Sequence, residues 1–295
     1  MYSYCVVVIL FNPEDEVLNR ILNYLDIFPK VFIIDNSVVV NEYIVKKLSE
    51  YKSIDYYGLE GNKGISYALN FAFHKGIEQG FNFMLTMDQD SIFRAKDIDF
   101  MINFIEKNDK DDIGIYAPNF SRLFYDTDNQ KSLSSEPTYP VNEILKVNFA
   151  ITSGSFIKLN AVKKTLPLDE NYFIAYVDFD LGMQMKSAGY YIVIVGKAML
   201  YQKIGGVIKK SSLAEKFRFT NYATNRYYYL VRNNFYIRNK YNDDSQIRLM
   251  TYKKLAKYIF KIFTSEKNKL DKVRMGYHGY CDYRKRRMGK KENID

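Results

Sequence analysis

The run Phe83-Met84-Leu85-Thr86-Met87 enters two carboxylates, Asp88 and Asp90, spaced i and i+2, and then the hydroxyl of Ser91. A short, mostly apolar run bounded by polar residues predicts a buried strand in the sheet of an α/β protein. Ligands of such sheets bind outside the carboxyl ends of the strands, which is where both aspartates fall. Residues i and i+2 of an extended backbone point to one side, so the two carboxylates can address one ligand. Carboxylate oxygens suit a hard divalent cation such as Mg²⁺ or Mn²⁺, with positions left open for phosphate oxygens. The same residues also describe an ordinary acidic turn after a strand.

Upstream, Tyr4–Phe11 and Val31–Ile34 are β-branched apolar runs. Between them, Val17, Leu18, Ile21, Leu22 and Leu25 recur at helical spacing over Glu14–Leu25. A strand–helix–strand unit implies parallel strands and a right-handed crossover. The second strand runs into Asp35-Asn36-Ser37, a sequence that suits a turn or cap as well as a ligand contact. After a third strand, Lys52–Tyr57, Gly61 and Gly64 flank Asn62-Lys63 and open a helix through Leu69, Phe73 and Ile77. Such a turn offers free backbone N–H groups and a favourable dipole to an anion, with Lys63 adding charge or standing in solvent.

Downstream, Asp97–Glu106 reads as a helix and Ile113–Ala117 as a strand. Residues 121–146 are polar and predict a long loop, the kind that serves as a lid or binding segment. Phe149–Ile157 contains Thr152-Ser153-Gly154-Ser155, small enough to admit a sugar or to make a sharp bend. Tyr176-Val177-Asp178-Phe179-Asp180 leads into a helix ending near Gly189, where Asp178 is placed to cap the helix or to act on a ligand.

Taken together, Asn12-Pro13, Asp35-Asn36-Ser37, Asn62-Lys63-Gly64-Ile65, Asp88-Gln89-Asp90-Ser91, Thr152-Ser153-Gly154-Ser155 and Asp178-Phe179-Asp180 resemble, in order and spacing, the family 2 glycosyltransferases. The Asp-Gln-Asp-Ser form, with Arg226-Tyr227-Tyr228-Tyr229-Leu230-Val231-Arg232-Asn233, resembles their bacterial rhamnosyltransferase-like branch. The resemblance implies a GT-A fold, a Rossmann-like and mostly parallel sheet flanked by helices. It implies that Asn12, Asp35, Asn36, Asn62, Lys63, Gly64, Asp88 and Gly154 contact the nucleotide sugar. Asp90 and Asp88 would hold Mg²⁺ or Mn²⁺, and Asp178, with Asp180 beside it, would be the catalytic carboxylate. The implied reaction moves a sugar, rhamnose foremost, from a dTDP-sugar (or a UDP-sugar) to a glycan on a lipid carrier, with inversion, in surface polysaccharide synthesis. Two positions depart from the pattern. Gln184 stands where the family usually has arginine, and Gln202 where it often has a histidine that assists metal or diphosphate binding. A carboxamide oxygen can still act as a ligand at Gln202, more weakly.

Charge divides the chain. Residues 206–295 hold 23 Lys and Arg against 8 Asp and Glu, and residues 1–205 hold 20 against 26. The expected organisation is therefore a catalytic domain over 1–205 and a basic, Tyr-rich helical extension over 206–295. Within Gln246–Phe263, Ile247, Leu255, Tyr258, Ile259 and Ile262 are expected on one side, with Lys253, Lys254, Lys257 and Lys261 opposite. A basic amphipathic segment suits an anionic membrane surface. No apolar run reaches the ~18 residues of a membrane span, and the N-terminal apolar run lacks a basic leader, so the expected location is cytoplasmic, at the inner face of the membrane. Two cysteines and two histidines give neither a disulfide framework nor zinc spacing.

Two other functions compete. A sugar-phosphate nucleotidyltransferase also needs acidic metal ligands, but the place for its triphosphate loop holds acidic Asn12-Pro13-Glu14-Asp15-Glu16. A nucleic-acid-binding protein would use basic residues interleaved with tyrosine, but the basic charge is confined to the tail, so no nucleic-acid partner is expected.

Overall fold

The structure, a computed structural model, describes residues 1–126, 131–203 and 222–291. Its elements are β1 (Tyr4–Leu10), α1 (Val17–Leu22), β2 (Val31–Asp35), α2 (Glu42–Leu48), β3 (Ile54–Gly58) and α3 (Ile65–Glu78). Then come β4 (Phe83–Asp88), β5 (Ser91–Phe93), α4 (Ala95–Asn108), β6 (Ile113–Asp126), β7 (Lys131–Ser134), β8 (Ile144–Val147) and β9 (Ser155–Lys158). The chain continues through α5 (Leu159–Val162), α6 (Val177–Ser187), β10 (Tyr191–Lys203), α7 (Thr224–Lys240), α8 (Ser245–Ser265) and α9 (Lys269–Arg284).

It divides into two compact units. The first contains Met1–Arg122, Ser135–Glu170 and Asp178–Lys203; the second contains Leu123–Ser134, Asn171–Val177 and Ile204–Asp295. The boundary expected at 205/206 lies outside the described residues.

In the first unit the strands run β3-β2-β1-β4-β9-β6-β10-β5. The pairs β3–β2, β2–β1 and β1–β4 are parallel, as the strand–helix–strand pattern predicts. β9 returns antiparallel to β4, and β8 and β5 both lie antiparallel to β10. The sheet is thus mixed, parallel where helices alternate with strands and antiparallel beyond. All seven residues of β1 are buried, because helices cover both of its faces. On one face Val6, Val8 and Leu10 join Val17, Ile21, Ile44, Leu48, Met101 and Ile105 in a single core.

The long loop expected over 121–146 is corrected in part. Strand β6 runs on to Asp126 and pairs with β7 through Leu123–Ser134, and β8 occupies Ile144–Val147. Within this mostly polar stretch the Leu123-Phe124-Tyr125 run supplies strand formers, and pairing with β7 realises them.

In the second unit α7 carries three consecutive buried polar side chains, Arg232, Asn233 and Asn234. Asn233 Nδ2 donates to the carbonyls of Tyr172 (2.8 Å), Ile174 (2.8 Å) and Ala175 (3.2 Å). Arg232 donates to the carbonyls of Asn171 (2.9 Å) and Gly289 (2.7 Å). The bracketed segment is tightly turned, with Phe173, Ala175 and Tyr176 at φ of 58°, 65° and 68°. Non-glycine residues persist in that region only where their surroundings over-determine it. Asn233→Ala strands buried carbonyls, and the expected loss is about 3 kcal/mol. Urea unfolding should show it as a lower midpoint at unchanged slope.

Glu266, also buried, accepts from Lys272, from Lys261 (3.1 Å) and from the Tyr227 hydroxyl (2.9 Å). Burial alone would raise its carboxyl, but hydrogen bonds from Lys272, Tyr227 and Lys261 hold it below the usual range. Lys261 Nζ also lies 3.5 Å from the centroid of the Tyr222 ring. This corrects the expected lysine stripe. Lys261 is internal and Lys254 lies over Tyr176, which leaves Lys253 and Lys257 exposed. Of the apolar side expected for this helix, Ile247 and Ile262 are buried, but Ile259 is exposed.

Candidate active site

Strand order reverses at β1: β2 and β3 lie to one side and β4 to the other. The region outside the carboxyl ends of β1 and β4 at such a reversal is the usual ligand position in these sheets. Here β1 ends at Leu10, followed by Asn12, and β4 ends at Asp88. Gln89 joins the two ends: its Oε1 accepts from Phe11 N–H (2.8 Å) and its Nε2 donates to Phe11 O (3.0 Å). The middle residue of Asp-Gln-Asp therefore has a structural task, bracing the end of β1 against the turn that carries Asp88 and Asp90. Sequence reasoning missed this role, although a carboxamide between two carboxylates was its visible signal.

A short hydroxyl relay supports the same turn. Ser153 Oγ accepts from Asp88 N–H (3.1 Å) and donates to Ser91 Oγ (2.9 Å), and both serines are buried. Strand β10 then brings Gln202 opposite Ser91 in antiparallel register. Residues more than a hundred positions apart in sequence are thereby neighbours. Among the described residues no three His, Cys, Asp or Glu side chains converge to hold a metal. The turn instead offers the two carboxylates with Gln202 alongside, an all-oxygen set if the amide turns its Oε1 inward. Such a set fits a hard cation that completes its shell with water or phosphate oxygens.

The β2 end supplies the adjoining wall. Asp35, buried, accepts from the Tyr56 hydroxyl (2.6 Å) and from Ser37 N–H (2.9 Å). Burial, and then the hydrogen bond to Asp35, push the Tyr56 hydroxyl far above its ordinary range, so it stays a donor. Ser37 Oγ accepts from the N–H of Asn12, whose φ is +45°. Asn36 ties in the next loop: its Oδ1 accepts from Lys63 N–H (2.7 Å) and its Nδ2 donates to Asn62 Oδ1 (3.2 Å). Asn62 Oδ1 also accepts from Gly64 N–H (3.0 Å), with Gly64 at φ +94° just before α3. The structure thus gathers Asn12, Asp35, Asn36, Asn62, Lys63 and Gly64 at one end of the sheet. The Lys63 and Gly64 N–H groups are taken up within the loop, so the turn is a rigid wall more than an open anion cradle.

Gly154 is explained by its own packing. At φ +80° a Cβ would meet Pro118 Cγ at 2.9 Å and the methyls of Leu200 at 3.0 and 3.1 Å. Gly154→Ala is expected to cost about 2–3 kcal/mol from left-handed strain plus overpacking. A thermal melt should report the loss, together with a parallel fall in any activity that depends on the neighbouring Ser153.

Asp178 and Asp180 both lie in the first turn of α6. Asp178 is half-buried, and its Oδ1 accepts from Phe179 N–H (3.0 Å). Asp180 is buried and accepts from Gln184 Nε2 at 2.6 Å. Gln184, where the resembled pattern has arginine, thus serves as a neutral partner to that carboxylate. Glu170 accepts from Asn70 Nδ2 (2.9 Å), whose side chain also bonds Leu168 at both N–H and carbonyl.

An open α/β sheet with a carboxylate-bearing turn at its switch point places that turn at the usual ligand position of such sheets. The chain belongs to glycosyl transferase family 2, whose description matches residues 5–166. It is 24% identical over 239 residues to a protein of Shigella flexneri named dTDP-rhamnosyl transferase RfbF, covering 79% of each chain. Among solved structures, S. aureus TarS is similar with a TM-score of 0.57 and 16% identity, over 95% of this chain and 48% of that one. GalNAc-T7, solved with UDP, GalNAc and Mn²⁺, is similar with a TM-score of 0.54 and 12% identity, over 69% of this chain and 44% of that one. The chain spans about half the length of these two structures. The fold is therefore GT-A, with additional helices after it.

Proposed function

We propose that this transferase moves a rhamnosyl group from dTDP-rhamnose to a glycan acceptor carried on a lipid, with inversion at the anomeric carbon. The observation that carries the reading is the Asp88-Gln89-Asp90 turn at the β1/β4 switch point, with Gln202 brought alongside. The family, and the name borne by the Shigella relative, favour this donor. The Mn²⁺ and UDP of GalNAc-T7 favour a divalent cation.

In this reading the β2 end and the 60–64 loop receive the nucleoside, with Asp35 and Asn12 toward the base. Asp90, with Asp88 and the Gln202 carboxamide, would hold Mg²⁺ or Mn²⁺, which would supply positive charge against that building on the departing diphosphate. Asp178 takes the proton from the acceptor hydroxyl as that oxygen attacks the far face of the sugar. Asp180, buried against Gln184, orients the first turn of α6 and does not itself receive the proton. The anomeric carbon–oxygen bond to the diphosphate breaks as the new glycosidic bond forms, which inverts the centre.

The test is incubation of the purified chain with dTDP-rhamnose or with UDP-sugars, reading release of nucleoside diphosphate and the thermal shift. The expected result is release and stabilisation with dTDP-rhamnose above the UDP-sugars. Stabilisation by UDP-sugars alone would overturn the donor assignment. No release from any nucleotide sugar, with or without Mn²⁺, would overturn the transferase site as drawn.

A further inference from the structure

Helix α8 has two apolar sides. Ile247, Thr251 and Ile262 face inward and are buried. On the outside, Leu249, Tyr252, Ile259 and Phe263 are 51–61% exposed, with exposed Ala256 between them. Their spacing of i, i+3, i+7, i+10 and i+14 draws one stripe along the whole helix. Helix α9 repeats the pattern with exposed Leu270, Val273 and Tyr277 at i, i+3 and i+7. A helix needs one apolar side to dock on its own unit; a second, outward one marks a contact surface.

Charge selects what that surface meets. Helix α8 carries Arg248, Lys253, Lys254, Lys257 and Lys261 and no acidic residue. Lys254 and Lys261 are engaged inside the unit, whereas Arg248, Lys253 and Lys257 are exposed. By helical geometry Lys253 and Lys257 border the stripe on one side and Arg248 on the other. Exposed Lys269 and Arg274 accompany Leu270 and Val273 on α9, where the exposed carboxylate is Asp271. Two copies packed stripe to stripe would set these cations against their own equivalents, with no carboxylate on α8 to compensate. An anionic bilayer takes both parts of the pattern, apolar side chains into the acyl boundary and cations among the headgroups. Among the described residues no helix is long and apolar enough to cross a membrane.

We propose that the outward stripe of α8 (Leu249, Tyr252, Ile259, Phe263), continued by Leu270, Val273 and Tyr277 of α9, lies on an anionic lipid surface, with Arg248, Lys253 and Lys257 at headgroup level. The proposal deepens the lipid-linked acceptor reading, since it brings the enzyme to the surface where such an acceptor resides. The binding itself stands apart from donor chemistry.

The experiment is sedimentation of the full chain with phosphatidylglycerol-containing or pure phosphatidylcholine vesicles, without nucleotide. The chain should bind the anionic vesicles and be released as salt rises. Leu249→Ser, Ile259→Ser and Phe263→Ser combined should lower that binding about tenfold or more at low salt. Lys253→Gln with Lys257→Gln should also lower it about tenfold and flatten the salt dependence. The replaced side chains are exposed, so both variants should keep the wild-type melting curve and dTDP-rhamnose hydrolysis, which separates failure of this surface from failure of the donor reading. Unchanged vesicle binding in the triple variant would overturn the proposal. So would equal wild-type binding to neutral vesicles at high salt. Sedimentation equilibrium showing a dimer that the triple variant abolishes would assign the stripe to a second copy and overturn it as well.

Discussion

Asp178→Asn should leave donor binding intact and lower sugar transfer by at least about a hundredfold, the range expected on losing a general base. An acceptor hydroxyl is a weak nucleophile, and the residue that deprotonates it must stand on the face opposite the leaving diphosphate. Asp88 and Asp90 lie at the end of β4 beside Gln202, on the side assigned to the diphosphate, so a carboxylate from another element is required. Three candidates lie close together in sequence; the resembled acidic motif points to Asp178, and burial sets Asp180 apart from it. Glu170 is engaged by Asn70, and Asp180 is buried and held by Gln184 at 2.6 Å. Asp178 is half-buried in the first helical turn, where one oxygen accepts a backbone N–H. Asparagine caps a helix about as well as aspartate, so the variant loses basicity and keeps shape. Isothermal titration with dTDP and steady-state transfer would be measured together. Asp180→Asn should cost less, since an amide can still pair with Gln184. Near wild-type turnover in Asp178→Asn with loss in Asp180→Asn would move the base by two residues. Loss in neither would move it to another element.

Asp90→Ala should reduce transfer to background and remove the Mn²⁺- or Mg²⁺-dependent part of dTDP binding, while the melting temperature stays near wild type. Asp90 sits in an exposed turn after β4, outside the buried core. What it would contribute in this reading is a carboxylate oxygen to hold a divalent cation, an effect expected only when metal and nucleotide are both bound. Chelation should therefore weaken dTDP binding to the wild type and leave the variant unaffected. Equal wild-type affinity with and without EDTA would sink the metal bridge. Gln202→Ala should show the same loss in smaller degree, because a neutral carboxamide oxygen holds a divalent cation less strongly than a carboxylate.

Much of this was legible before any coordinates. Apolar runs of strand length alternating with helical periodicity specify the parallel half of the sheet, since a strand buried on both faces must be apolar throughout. The same runs place Asp35, Asp88 and Asp90 at strand ends, because the polar residues start where the buried run stops. The antiparallel half was less visible. Strand β6 continues to Asp126 and pairs with β7 through Leu123, Phe124 and Tyr125, a short apolar run set among polar residues that read as a loop. So short a run is strand or loop according to its context, here the pairing with β7.

What only the tertiary structure decided is which residues act on one another across the chain. Gln89 is a brace between two strand ends, Ser153 carries Asp88 on its hydroxyl, and Gln202 comes to the turn through the register of β10 with β5. In the second unit it set Lys261 against Glu266 and turned Leu249, Ile259 and Phe263 outward, where helical periodicity alone had offered one apolar side. The physical reason is common to all of these. Local sequence specifies period and strand ends through propensity and burial, whereas hydrogen-bond partners and the choice between two apolar sides depend on which surfaces the rest of the chain has already covered.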